Sequence, residues 1–166
     1  PNSQPMTDTP FSPENHGARP PLYFEDMVLR RRFEIPSRTM TEGLFTAFQA
    51  ASGDNHPSHY DIEYCRRHGH PNLLAHGYQI AIQAAPGAGD FPFIVGEAMM
   101  GFLEQSSRFL KPVFAGDTLY PTLTVSALSA QNTTGVVTLA VTIHNQHGVL
   151  VMDGAQKFLL RKRGQD

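Results

Sequence analysis

The sequence predicts an α+β domain in which an antiparallel sheet packs against one buried helix. The second half of the chain alternates apolar and polar residues with the period of two that half-buried strands show. Before it, residues 75–85 are small or apolar almost all round, which is typical of a helix enclosed by protein. At 166 residues, a single layered domain is the simplest arrangement.

Composition narrows the classes of function. Hydrophobic residues make up 40% of the chain and charged residues 17%, as in ordinary globular proteins. A formal net charge of −2 argues against nucleic-acid binding. The apolar run 91–103 contains Glu97 and is too short to span a membrane. Cys65 is the one cysteine, so no intrachain disulfide can form, and we expect a cytoplasmic location.

The N-terminal residues differ in character from the rest. They are rich in proline and show little periodic apolar pattern, so residues 1–22 are predicted to form a flexible arm. Residues 1–5, before Met6, are interpreted as an expression scar. The single domain is predicted to span residues 23–163.

Two short helices are predicted ahead of the buried one. Thr41 is a suitable N-cap for the first, and Gly53 is a suitable C-cap. Asp61 can cap a second helix that runs through Arg67. Pro57 excludes a continuous helix between them.

Strands are predicted from alternation and from turn-like links, about five in all. Four of them are placed at residues 27–35, 119–127, 137–144 and 149–160. The basic run 30–32 falls in the first of these and is interpreted as a solvated strand edge. The apolar run 99–103 is interpreted mainly as core, with the lining of an acyl pocket as the alternative.

The residues that point to chemistry lie between the helices. The segment reads Ser52-Gly53-Asp54-Asn55-His56-Pro57-Ser58-His59, and Ala75-His76-Gly77 follows. Asp54 and His59 form an acid and base pair of the kind that moves the protons of a water molecule. Gly77 opens the buried helix, where a free backbone N–H can hold negative charge on a carbonyl oxygen.

Each of these residues also has a structural interpretation. An aspartate after a glycine is commonly a turn residue, and a loop histidine is commonly structural. His76 either steadies the turn or reaches the substrate. His56 and His59 form a His-x-x-His pair, but the paired Cys/His or His-Glu-x-x-His patterns of zinc sites are lacking, so no metal is predicted.

The whole motif resembles the signature of the MaoC-like hydratases, the family that includes (R)-specific enoyl-CoA hydratases. In that pattern Asp54 and His59 hold the catalytic positions, and Gly77 offers its N–H to the thioester oxygen. Residues 109–117 resemble a further family segment. The resemblance implies a hot-dog fold, in which the sheet curls around a long central helix, and it implies a homodimer.

Two positions depart from the family pattern. His56 stands where the family has an asparagine, and Ile82 stands where a serine is often found. Either change can alter the activity. Ser52, Gly53, His56 and His76 are predicted to bind the substrate.

The predicted function is reversible hydration of a trans-2-enoyl thioester, such as an enoyl-CoA of fatty acid metabolism, to an (R)-3-hydroxyacyl thioester. The resemblance implies a hydro-lyase without a cofactor. One alternative is an acyl-CoA thioesterase on the same fold. The other is a non-catalytic subunit that binds acyl thioesters. No nucleic acid or membrane partner is predicted.

Overall fold

The structure, a computed structural model, describes residues 11–17 and 19–164. Residues 1–10 of the predicted arm lie outside this range. Four α-helices are present in the described part: α1 (Glu42–Ser52), α2 (Ile62–Arg67), α3 (Gly77–Ala81) and α4 (Phe91–Val95). The described part also contains six strands, numbered in chain order: β1 (Arg32–Glu34), β2 (Arg38–Thr39), β3 (Met99–Phe109), β4 (Thr118–Ala130), β5 (Thr134–Asn145) and β6 (Leu150–Arg161).

The six strands form one antiparallel sheet. Its order is β1-β4-β5-β6-β3, with the short β2 also paired to β4. The long strands β4, β5 and β6 correspond to the predicted alternating segments, each extended by a few residues. Leu123 pairs with Val141 in this register, and Val141 pairs with Gly154. The apolar residues of β4 and β5 point to one face and make up much of the core.

The first predicted strand is much shorter than the sequence suggested. Residues 24–26 form a turn of 3₁₀ helix, and Arg30 has a left-handed backbone with φ 69°. Arg30 N–H still donates to the Val125 carbonyl at 2.8 Å, so the segment follows β4 without regular pairing. Of the basic run 30–32, only Arg32 lies in β1.

The central helix is also shorter and less enclosed than predicted. After α3 the chain tightens into 3₁₀ helix over Ile82–Ala84, because Pro86 disfavours a helical backbone at the residue before it. Ile80 packs in the core against the sheet. On the opposite side Tyr78 is 79% exposed and Ile82 is 53% exposed.

The run 99–103 begins β3, at an edge of the sheet, and is not core within this chain. Met100, Phe102 and Leu103 are each about half exposed, which contradicts the core interpretation for these three residues. A connected apolar surface therefore extends from the exposed side of α3 to β3. Within the described residues, the helices are too short or too polar to cross a membrane.

Candidate active site

The loop that follows α1 is folded by its own side chains. Thr41 caps the start of α1, and Gly53 ends it with a left-handed backbone at φ 72°, as predicted. Ser52 Oγ donates to the Phe48 carbonyl at 2.7 Å and accepts from Asp54 N–H at 3.2 Å. Ser52 and Gly53 therefore set the direction in which Asp54 leaves the helix.

Asp54 and His56 fold the next residues. Asp54 Oδ1 accepts from His56 N–H at 3.2 Å. His56 Nδ1 in turn accepts from Ser58 N–H at 3.3 Å and lies 2.8 Å from Ser58 Oγ, so His56 caps the single 3₁₀ turn Pro57–His59. His56 thus caps this turn with its side chain, as an asparagine commonly does at such a position.

His59 is fixed at the end of this turn and is partly buried. Its Nδ1 hydrogen-bonds the Leu74 carbonyl. Because a carbonyl only accepts, Nδ1 carries the proton and Nε2 keeps a lone pair. Burial lowers the pKa of His59 below its ordinary value of 6.5, and the positive potential of nearby His76 adds to this, while the bond to Leu74 opposes it. The ring is therefore a neutral base near physiological pH.

His76 lies directly against His59. The two imidazole rings stack with their centroids 3.5 Å apart and an interplanar angle of 22°. His76 Nε2 is 3.7 Å from Asp54 Oδ2. Only 3% of His76 is exposed, whereas the Asp54 side chain is 49% exposed. The structure thus brings Asp54, His59 and His76 together, although the first and last of them are 22 positions apart in sequence.

Gly77 follows at the first position of α3. The first amides of a helix have no intrahelical acceptor, so they are available to a ligand. A Cβ built at Gly77 would lie 3.1 Å from Phe109 Cε2, so a larger residue would push the aromatic ring. The Phe109 ring thus occupies the space beside Gly77, and an alanine here would require that ring to shift by a few tenths of an ångström.

A groove of about 430 Å³ opens beside Gly77. It is lined by Leu74, Ala75, Gly77, Ile80, Phe109, Leu110, Lys111, Pro112 and Val113. A separate cavity of about 180 Å³ lies along the exposed side of α3, between Tyr78, Ile82 and Phe102. Ile82, at the position of the family serine, therefore faces this cavity and presents an apolar wall.

The geometry favours acid–base chemistry over metal binding. Donor atoms of Asp54, His59 and His76 lie within 4.8 Å of one another, which is close enough for a shared cation. The lone pairs of an imidazole lie in its ring plane, however, and two stacked rings cannot both point them at one ion. Both Nδ1 atoms are also engaged in hydrogen bonds.

Three residues around the site were missed by sequence reasoning. Tyr60 Oη lies 3.1 Å from His76 Nε2, Gln79 Oε1 lies 3.1 Å from His76 Nδ1, and Phe48 packs on the His76 ring. The spacing of His76 and Gln79 by three residues at the start of a helix is the one signal that could have revealed a side-chain pair.

Comparison with known proteins identifies the family of this chain. The model of the FAS1-like dehydratase domain region matches residues 31–154. The chain belongs to this dehydratase family. The prediction of a hydro-lyase is thereby confirmed at the level of the family, as is the resemblance to MaoC-like hydratases. An (R)-specific enoyl-CoA hydratase from Rhodospirillum rubrum is 25% identical over 146 residues, which cover 86% of this chain and 94% of that protein.

Solved structures confirm the fold. A monoamine oxidase regulatory protein from Archaeoglobus superposes with a TM-score of 0.80 at 30% identity, over 87% of this chain and 97% of that one. RV0216 from Mycobacterium tuberculosis, described as a double hotdog fold, superposes with a TM-score of 0.74 at 25% identity, over 88% of this chain and 46% of that one. The predicted hot-dog fold is thus confirmed.

Proposed function

We propose that this protein reversibly adds water to a trans-2-enoyl thioester and yields an (R)-3-hydroxyacyl thioester. The observation that carries the proposal is the meeting of Asp54 and His59 beside the start of α3. An exposed carboxylate and a neutral imidazole can together hold one water molecule. The groove beside Gly77 leaves room for the thioester.

The chemistry balances without any added group. His59 Nε2 and Asp54 orient the water, and His59 accepts one of its protons while the water oxygen bonds to Cβ. The π electrons move toward Cα and the carbonyl oxygen, which the Gly77 N–H stabilises. The proton on His59 then passes through the Asp54 carboxylate to Cα, which returns His59 to the neutral imidazole and Asp54 to the carboxylate. The product has gained one water.

We further propose that Ser52, Gly53 and His56 serve the substrate by shaping the loop. Their side-chain and backbone bonds are directed into the loop itself. His56 also lies at the exposed side of the turn, where its free ring edge can meet the thioester. For His76 we propose a supporting role in place of direct substrate binding, because only 3% of it is exposed.

The experiment is a spectroscopic assay with enoyl thioesters of several chain lengths, offered both on coenzyme A and on an acyl carrier protein. Loss of enoyl absorbance with no release of free thiol supports hydration. Release of thiol would instead establish the thioesterase alternative. Saturable binding of acyl thioesters without turnover on either carrier would establish the non-catalytic subunit. Chiral analysis of the product distinguishes the (R) from the (S) alcohol.

We also propose that the active form is a homodimer. The strand β3 is an edge of the sheet, and no strand of the described chain covers its outer side. Tyr78, Ile82 and Phe102 form an exposed apolar surface between that edge and α3. Pairing with a second copy would cover both the edge and this surface.

Light scattering tests the dimer. The parent should give about twice the chain mass of 18.3 kDa, and Phe102→Asp should give the single-chain mass because a charge cannot be buried unpaired. Phe93→Asp is the matched control, since Phe93 is a 65% exposed aromatic residue outside this surface. A single-chain mass for the parent, or dissociation of both variants, would contradict the proposal.

A further inference from the structure

We propose that His76, oriented by Gln79, is a positioning residue that holds His59 in place and in its neutral form. The inference rests on the proposed hydration and adds a role to it. His76 does not meet the substrate in this scheme, and it acts through the ring that does.

The first support is packing. The His76 ring lies between His59, stacked at 3.5 Å, and Phe48, tilted at 50° with centroids 4.6 Å apart. With 3% of its surface exposed, the ring has little room to move. One face of His59 is therefore supported by a fixed surface, while its edge is fixed by the Leu74 carbonyl.

The second support is the hydrogen bonding of the buried ring. Gln79 Oε1 lies 3.1 Å from His76 Nδ1 and accepts, which places the His76 proton on Nδ1. With the proton on Nδ1, Nε2 is the acceptor for the Tyr60 hydroxyl, which lies 3.1 Å from it and 3.5 Å from its other acceptor, the Phe45 carbonyl. Gln79 therefore selects the tautomer whose lone pair faces Tyr60 and Asp54.

The third support is the buried side-chain amide of Gln79, which is not fully hydrogen-bonded. Gln79 is 1% exposed, and its Nε2 has no hydrogen-bond partner in the described chain. An unpartnered buried amide is costly, so a residue that carries one commonly serves another purpose. Orienting His76 supplies that purpose.

The electrostatic consequence follows from the stack. Two imidazolium rings stacked at 3.5 Å would repel each other, so the two rings disfavour being protonated together. The pKa of His59 is indeed lowered in part by His76. The titratable groups that face His76 are Asp54, His59 and Tyr60, and Phe48 and Gln79 add no charge.

The test uses pH–rate profiles of variants with opposite expected signs. In Gln79→Glu the new carboxylate favours a protonated His76, whose charge lowers the pKa of His59. The acid limb of kcat should therefore move to lower pH. His76→Phe keeps an aromatic ring that cannot be protonated, which removes the contribution of His76 that lowers the pKa of His59. The acid limb of kcat should therefore move to higher pH. Gln83→Glu is the matched control, because Gln83 is buried one turn on and bonds the Gln79 backbone carbonyl. The acid limb of kcat in Gln83→Glu should stay at the same pH as in the parent.

Two uncharged substitutions, Gln79→Met and Gln83→Met, test the inference even when a charged variant does not fold. Gln79→Met should lower kcat about tenfold, the lower end for loss of an orienting partner, with KM unchanged and a melting temperature at or above that of the parent. Gln83→Met should leave kcat within about twofold. Equal kcat losses in the two variants, or unchanged acid limbs, would overturn the inference.

One readout is independent of activity. Long-range ¹H–¹⁵N NMR spectra of the parent should show His76 as the Nδ1–H tautomer, and Gln79→Met should show a mixture. An Nε2–H tautomer in the parent would overturn the inference. Absence of any hydratase activity in the parent would instead contradict the proposed function, so the two failures can be told apart.

Discussion

The helical segment 41–85 and the sheet 99–161 are stabilised in different ways. In the sheet, β4, β5 and β6 pair over 12 or 13 residues each, and their inner faces fill the core. In the helical segment, elements of three to eleven residues are closed by single side chains, among them Thr41, His56 and Asp61. The sheet is held by area of contact, and the site is held by individual hydrogen bonds.

This difference shows how the molecule can separate stability from chemistry. Burial in the sheet is distributed over many apolar residues, and no single one decides the geometry of the site. The site depends on a few polar contacts whose geometry must be kept within tenths of an ångström for proton transfer. Changes in the two regions should therefore have separable effects, and this can be tested.

The largest effect is expected from the acid and base pair. Asp54→Asn and His59→Gln should each lower turnover by about 10²–10⁴-fold, the usual range for a positioned acid or base. Their melting temperatures should stay close to that of the parent, because Asp54 is half exposed and His59 packs mainly on one side. Unfolding of both variants would instead assign them to the stability of the helical segment.

A core change in the sheet should do the reverse. Leu139 on β5 is fully buried, so Leu139→Ala should lower the free energy of unfolding by about 2–5 kcal/mol. Where the variant remains folded, turnover per folded molecule should stay within a few-fold of the parent. Chemical denaturation and a steady-state assay on the same preparation check both statements. A loss of turnover as large as that of His59→Gln would break the comparison.

Gly77 is the point at which the two regions meet. In Gly77→Ala the new Cβ would lie 3.1 Å from Phe109 of β3, so we expect a loss of turnover of about tenfold, as one misplaced ångström costs up to about 10²-fold. Adding Phe109→Leu to the Gly77→Ala variant provides more room for the new Cβ and should restore part of the lost turnover. Failure of this second change to help would show that Gly77 matters for substrate access alone.

A pH effect on stability should be smaller. The pKa of His59 is lowered in the folded state, so the unfolded chain binds this proton at higher pH. Stability from this residue is therefore lost as pH falls through about 6.5 and is unaffected well above it. Urea unfolding between about pH 5 and 8 should show a steeper decline for the parent than for His59→Gln. Equal slopes of unfolding free energy against pH in the two proteins would mean that other titratable groups dominate the pH dependence of stability.

The smallest effect is expected at His56. His56→Asn keeps a good capping group and should retain stability and most of the turnover, whereas His56→Ala should lose about 1 kcal/mol of stability. Loss of the cap also loosens the turn that carries His59, so turnover should fall with it. Turnover of the alanine variant equal to the parent would mean that this departure from the family pattern has no mechanistic meaning.

The sequence by itself determined the caps, the long strands and the motif. Thr41, Gly53 and Asp61 act as predicted because capping depends on residues within one turn. The alternation in β4 and β5 is a local pattern with a fixed period, so it could be found without a fold. The predicted hot-dog fold rested on the motif's resemblance, since periodicity does not define strand order.

Tertiary structure decided everything that depends on distant contacts. The first strand is shortened by the left-handed backbone at Arg30, and β3 is an exposed edge because of its place in the strand order. The stacking of His59 on His76 joins residues 17 positions apart, and the hydrogen bond from His59 Nδ1 to the Leu74 carbonyl accompanies it. Such contacts reflect the path of the chain in space, which local propensity does not encode.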